Sequence, residues 1–159
     1  MPTFIRPAAE PDVPVILDFI RQLAEYERLS HQVTATEDRI RQTLFGPRPA
    51  AEVLLADMES ECAGFAVFFG SYSTYLAQPG LYLEDLYVKP HWRGQGVGRA
   101  LLRGVAEIAI KRGCGRVEWS ALDWNESSIR FYKNLGAEEL SDLTRYRLTG
   151  HALEKLAAG

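Results

Sequence analysis

Apolar residues recur at two different spacings along this chain, and the changes of spacing mark its elements. Residues 3–8, "TFIRPA", predict a short strand. Val13, Ile16, Leu17, Ile20 and Ala24 then share one face at helical spacing. Asp12 stands where a helix cap is wanted, and Pro14 falls in the first turn, where no backbone donor is missed. "TATEDRIRQTLFG" predicts a second helix, with Thr36 as its cap and Gly46 as its stop. "AEVLLADM" and "CAGFAVFFGSY" are β-like runs joined by the polar "ESE", a hairpin signal. "STYLAQPG" predicts a loop that turns at its Pro-Gly pair. "LYLEDLYV" is a further strand, closed by Pro90.

The period then lengthens again. From Gly98 onward, Leu101, Leu102, Val105, Ile108 and Ala109 mark an amphipathic helix that Gly113 stops. "GRVEWSALDW" predicts another strand, and "ESSIRFYKNLGA" a helix that opens near Asn125 and ends at Gly136. "TRYRLTG" predicts a last strand and "HALEKLAA" a short tail helix. This order predicts a mixed α/β (α+β) fold, with the strand–helix–strand unit of the second half as a right-handed parallel crossover.

Composition narrows the picture. The chain is 47% hydrophobic and 25% charged, the balance of a folded globular protein. No repeat, linker or charge block divides it, so a single domain over 1–159 is expected. A net charge of −3 gives no broad attraction to nucleic acid or to an anionic membrane, and neither is expected as a partner. Cys62 and Cys114 lie in apolar surroundings and predict buried reduced thiols, not a disulfide or zinc framework. His31, His91 and His151 are scattered without ligand spacing, so no metal is expected. The opening "MPTFIRPAAEPD" lacks the basic stretch and apolar core of a secretory leader, and "CAGFAVFF" is too short to span a bilayer. The expected location is cytoplasmic.

Candidate chemistry concentrates in "YLEDLYVKPHWRGQGVGRAL", from Tyr82 to Leu101. Glu84 and Asp85 stand side by side in a strand, and Arg93 to Arg99 form a basic glycine-rich loop before a helix. Glycines let backbone N–H groups converge, and a helix start offers unpaired donors and a positive dipole end. Such a loop suits an anion, although a plain strand-to-helix turn would have the same composition. The phosphate pattern G-x-x-x-x-G-K-[ST] is absent, and G-x-G-x-G lacks dinucleotide spacing.

Arg93-x-x-Gly96-x-Gly98 after "LEDLYVKPHW" resembles the acetyl-CoA loop of the Gcn5-related N-acetyltransferases (GNAT). The resemblance covers essentially the whole chain: "IRPA", "LAEYERLSHQV", "GFAVFF", "YLEDLYV", "RGQGVG", "LDWNESSIRFYKNLGA" and "RYRL" occur in order. Together they are similar to the diamine acetyltransferase group, which includes spermidine/spermine and thialysine acetyltransferases. The resemblance implies a twisted, mostly antiparallel mixed sheet flanked by helices, with a splayed parallel strand pair at the acetyl-CoA site. It implies acetyl-CoA as donor cosubstrate. Its pyrophosphate falls to Arg93, Gly94, Gln95, Gly96, Val97, Gly98 and Arg99, and its pantetheine arm to Leu86, Tyr87 and Val88. Asn125, Glu126, Ser127 and Ser128 come beside it.

The same resemblance makes Glu84 the acid that handles the amine proton and Tyr132 the proton donor to the leaving thiolate. The plain alternative for Glu84 is a strand acid paired to an arginine, and pattern alone makes Tyr132 a half-buried helix tyrosine packing its ring. Glu27, Glu84 and Asp85 together would suit a cationic amine. Polyamine enzymes carry a further acid and a tryptophan after the third strand, where this chain has Ser73-Thr74-Tyr75. That departure, with "YSTY" and "LDWN", points to the thialysine branch. Ser73, Thr74, Leu122 and Asp123 would then contact a lysine-like amino acid, unless Ser73 and Thr74 only shape a turn. Trp119 and Trp124 either line the cleft or pack the core. A homodimer exchanging "TRYRL" at a sheet edge is also implied. A peptide or protein amine acetyltransferase and a non-catalytic acyl-CoA-binding module are the alternatives.

Overall fold

Five strands lie in sequence order across one sheet: β1 (Phe4–Pro7), β2 (Glu52–Met58), β3 (Glu61–Ser73), β4 (Gln78–Val88) and β5 (Val117–Trp119). The structure is a computed structural model and describes residues 2–159. Its backbone divides into two units, one running to Ser120 and the other Ala121–Gly159. The first holds the sheet and three helices, α1 (Val13–Tyr26), α2 (Glu37–Leu44) and α3 (Val97–Lys111). The second holds α4 (Glu126–Asn134) and α5 (Gly150–Ala158).

The first four strands pair antiparallel with their neighbours, and β4 pairs with β5 in parallel, as a strand–helix–strand crossover requires. Strand alternation sorts the core into two faces. Val53 and Leu55 of β2, Phe65 and Val67 of β3 and Tyr87 of β4 form one buried cluster with Val13, Ile16 and Phe19 of α1. The intervening Leu54 faces α3, where an added Cβ at Gly104 would meet Leu54 and Ile5. Leu101, Leu102, Val105 and Ala109 are the buried face of α3, as their spacing predicts. Thr36 caps α2 by accepting from the Arg39 amide at 3.2 Å.

Several local expectations are corrected. Asp12 makes no cap bond to α1. Its carboxylate instead accepts from the Ala9 amide at 2.8 Å and from Arg6 at 2.9 Å, because a partly buried guanidinium holds it more strongly than a helix amide. Pro79 and Gly80 lie inside β4, and the turn is at 74–77, with Ala77 at φ 52°. Proline is tolerated there because its nitrogen, like that of Leu81, faces away from β3 and so costs that ladder no bond, while its carbonyl accepts from the Gly115 amide at 2.9 Å. "GRVEWSALDW" forms only the three residues of β5, since its ladder ends at the Leu83–Trp119 pair. "TRYRLTG" forms no strand among the described residues: 144–149 pair with none, and Tyr146 is 89% exposed. A strand needs a neighbour for its amides and carbonyls, and local sequence does not provide one.

Candidate active site

An extra residue in β4 sets the local geometry. In the β3–β4 ladder Val67 opposes Asp85 and Phe68 opposes Leu83, which leaves Glu84 as the additional residue of a β-bulge. The bulge reverses the direction of the backbone groups beyond it. Leu81 donates its N–H to Arg116 at 3.1 Å, toward β5. Lys89, an even number of residues further on, donates to Ala63 at 2.8 Å, toward β3. Unbroken alternation would send both the same way. With Glu84 inserted, the N–H groups of Leu86 and Val88 face the β5 side, where β5 has already ended at Trp119. Among the described residues this part of β4 is paired on one side only. The opposite side is locked: an added Cβ at Gly64 would strike the Tyr87 carbonyl.

The bulge also sorts the acids. Asp85 opposes Val67 and so shares the α1 face with Tyr87, while Glu84 is exposed. Glu27 follows α1 directly as its C-cap. The three carboxylates that the sequence singles out come together electrostatically. Burial, reinforced by the charges of Glu84 and Glu27, pushes the Asp85 carboxyl up to about 7. Burial and the charge of Glu84 likewise raise Glu27 above the usual carboxylate range. None of the ion pairs among the described residues includes any of these three acids. Three carboxyls brought close together, one of them largely buried, suit a cationic amine.

Past Pro90 the chain makes a short 3-10 turn and enters the glycine loop. Gly94 and Gly96 have φ of 73° and 87°, in the left-handed region where other residues are strained. An added Cβ at either would enter open space, so backbone torsion is what demands glycine there. Gly96 is the N-cap of α3, and no side chain caps that end. A loop with exposed amides at the start of a 15-residue helix fits a pyrophosphate. Gln95 donates to the His91 carbonyl at 3.0 Å, Val97 is buried in the core, and Gly98 and Arg99 begin the helix.

Arg93 is exposed but folds back along the protein. Its Nε donates to the Val88 carbonyl at 2.8 Å, and its guanidinium lies 5.0 Å from the Tyr26 ring centre and 5.4 Å from that of Tyr87. Tyr87 in turn donates to Gln22 at 3.1 Å. Tyr26 and Gln22 belong to α1, and sequence reasoning does not find them as part of this region. The available signal is their offset of four residues, which puts both on one helix face.

The remaining residues belong to other elements. Ser73 and Thr74 are at the tip of the β3–β4 hairpin, where Ser73 accepts from the Leu76 amide at 3.2 Å and from Arg116 at 3.1 Å. From Gln78, the partner of Ser73, to Glu84 is about 20 Å along the strand at a rise of ~3.3 Å per residue. Trp119 ends β5 and is half-buried. Within the second unit, Leu122 accepts from the Asn125 amide at 2.9 Å, and Asp123 and Trp124 are exposed on that turn. Asn125 is buried at the N-cap of α4, with the Ser127 hydroxyl 3.5 Å from its Oδ1. Glu126 and Ser128 lie in the first turn of α4, and Tyr132 further along packs against Phe131 at 5.6 Å between ring centres. No group of three or more metal-ligating side chains occurs among the described residues. No helix there is long and apolar enough to cross a membrane.

The chain as a whole is similar to known proteins. The model of the acetyltransferase (GNAT) family matches residues 17–137. A thialysine N-epsilon-acetyltransferase of Bos taurus is 41% identical, with 96% of each chain covered. An L-ornithine N5-acetyltransferase of Arabidopsis thaliana is 34% identical over 96% of this chain and 86% of its own. Among solved structures, an integron cassette protein from the mobile metagenome of V. cholerae superposes with a TM-score of 0.82 at 26% identity, over 100% of this chain and 99% of its own.

Proposed function

Because the chain belongs to the acetyltransferase (GNAT) family, and is an amine N-acetyltransferase with that family's donor acetyl-CoA, we propose that it acetylates the terminal primary amine of a small lysine-like amino acid by direct attack in a ternary complex. The observation that carries the acceptor class is the set of three carboxylates, Glu27, Glu84 and Asp85, with no cationic partner among the described ion pairs. The amino acids in the relatives' names, thialysine and ornithine, support the same class. A long polycation fits less well, since the Ser73-Thr74-Tyr75 segment adds no further acid.

The donor supplies an activated acetyl thioester; the protein's part is positioning and proton transfer. A lysine-like ammonium has a pKa of about 10.4, so roughly one part in 2,500 is neutral at pH 7, a cost of about 4.6 kcal/mol. Glu84 accepts the amine proton, directly or through water, with Asp85 and Glu27 holding the cation beforehand. The Leu86 and Val88 amides, aimed to the unpaired side of β4, polarise the acetyl carbonyl as charge develops on its oxygen. Tyr132 donates its hydroxyl proton to the departing thiolate. Residues 93–99 bind the pyrophosphate through backbone amides, Leu86, Tyr87 and Val88 run beside the pantetheine arm, and 125–128 complete the donor side. Leu122 and Asp123 contact the acceptor. The protein works as a homodimer, which sedimentation at working concentration checks.

Incubation with acetyl-CoA and thialysine, lysine, ornithine, putrescine and spermidine, with products identified by mass spectrometry, tests the acceptor class. Acetylation of the terminal nitrogen of the amino acids in preference to the polyamines is the expected result. Preference for spermidine would overturn it, and release of no free thiol with any amine would favour a peptide acceptor or a binding module.

A further inference from the structure

Arg93 opens the anion loop, yet its side chain is engaged with protein groups on two other elements. The Nε bond to the Val88 carbonyl, at 2.8 Å, secures the last residue of β4. The planar guanidinium lies against Tyr26, the last residue of α1, and against Tyr87 on β4. Glu27, one of the three acids, is the next residue after Tyr26. Arg28 takes a left-handed φ of 62°, and the turn is held by the amides of Glu27, Arg28 and Leu29 bonding back to Leu23, Glu25 and Ala24.

We infer that Arg93 is a positioning residue that ties the donor loop to the acceptor end of α1, so that binding in one half of the site orders the other. This rests on the proposed division of the site into a donor loop and an acid-lined acceptor pocket. Two features of arginine are used together. A directed Nε–H meets a carbonyl on the unpaired side of β4, and a flat cation meets two aromatic faces. Lysine offers the charge without the directed bond or the plane, so Arg93→Lys should retain only part of the effect. The wiring is reciprocal: if the loop orders the turn after α1, occupation of that turn must favour the loop equally.

Hydrogen exchange of the ligand-free protein reads the tie without any turnover. In Arg93→Gln the amides of Glu27, Arg28 and Leu29 should exchange about tenfold faster, with α3 and β2 unchanged; Arg93→Lys should lie between. Tyr26→Leu should give the same acceleration and, combined with Arg93→Gln, add little more. Kinetics supply a second reading. Arg93→Gln should raise the acceptor KM about tenfold with acetyl-CoA and also with S-acetylpantetheine, a donor that has no pyrophosphate. Unchanged exchange at 27–29 would overturn the inference. So would an effect seen only in the KM for acetyl-CoA and absent with S-acetylpantetheine, the signature of a simple anion ligand. A wild-type protein that acetylates no amine would overturn the proposed function, while the exchange measurement would still decide the tie.

Discussion

Two clusters of charge stand on the same sheet and are built in opposite ways. At the β1 edge Arg6 reaches Asp57 through Nε at 2.7 Å and Asp12 through Nη1 at 2.9 Å. Its guanidinium is held more firmly protonated, and the same contact pulls the Asp12 carboxyl below its ordinary value. At the β4 bulge, Glu27, Glu84 and Asp85 face one another as like charges, and burial drives Asp85 upward. The matched cluster joins the strand edge to the start of α1 and leaves nothing to bind. The unmatched cluster costs the folded chain free energy, which a cation arriving from solution would recover. Charge compensation thus separates a structural site from a candidate binding site where burial alone would not.

The sharpest break between them is expected on activity. Glu84→Gln should lower kcat by about 10²–10⁴-fold while leaving the thermal midpoint unchanged or slightly higher, since Glu84 is exposed and its charge repels Asp85 and Glu27. Steady-state kinetics beside thermal unfolding check this; a large loss of stability with full activity would invert the comparison.

Next comes the pH dependence, where the clusters should have opposite signs. The folded-state Asp85 carboxyl is at about 7 against an ordinary 3.8, so between these values the folded chain keeps a proton that the unfolded chain has released. Stability from this group is fully present below 3.8 and is lost as pH rises through about 7. Asp12 runs the other way: its contribution is present above 3.8 and is lost as pH falls. Asp85→Asn should flatten the decline toward alkaline pH by about 2–4 kcal/mol, taking ~1.36 kcal/mol per pKa unit, and chemical denaturation across the pH range reads it directly. A decline of undiminished slope in the variant would show that Asp85 does not cause it.

Arg6→Met is the counterpart on the matched side. It leaves two partly buried acids without their cation and should cost about 2 kcal/mol, with kcat unchanged. Unfolding in urea measures the first and kinetics at low temperature the second. The smallest effect is expected at the hairpin tip. Ser73→Ala removes two hydrogen bonds on an exposed turn, for under about 1 kcal/mol. If Ser73 contacts the acceptor, its removal should raise the amine KM; if it only shapes the turn, the KM stays.

Much of this molecule is legible along the chain, and what is not has identifiable causes. Helices α1 and α3 and the β2–β3 hairpin follow from periodicity, because a buried face repeats at the spacing of its own element. Thr36 caps α2 as its position predicts, since the cap bond spans only three residues. Asp12 departs from its expected role because its partner, Arg6, comes from a strand that local pattern does not connect to it. The Pro-Gly pair belongs to β4 because the proline nitrogen faces away from β3 and costs that ladder no bond. In the site, "LED" and "RGQGVGR" can be read as acid and anion loop, but the contact of Arg93 with Tyr26 cannot. It depends on how the end of α1 meets β4.

By itself the sequence determined which residue types lie on which elements. The glycines at left-handed torsions, the apolar stripes and the adjacent acids are all local properties, set by each residue's own torsions and near neighbours. Only the tertiary structure decided which way they point and what surrounds them. Glu84 becomes the extra residue of a bulge through its pairing with β3, and that one insertion turns the Leu86 and Val88 amides toward the unpaired side. The fate of "TRYRLTG" was decided at the same level, because a strand exists only where another strand accepts its hydrogen bonds. The character of the acids was decided there too, since the cost of ionising a carboxyl depends on burial and on charges brought close by folding.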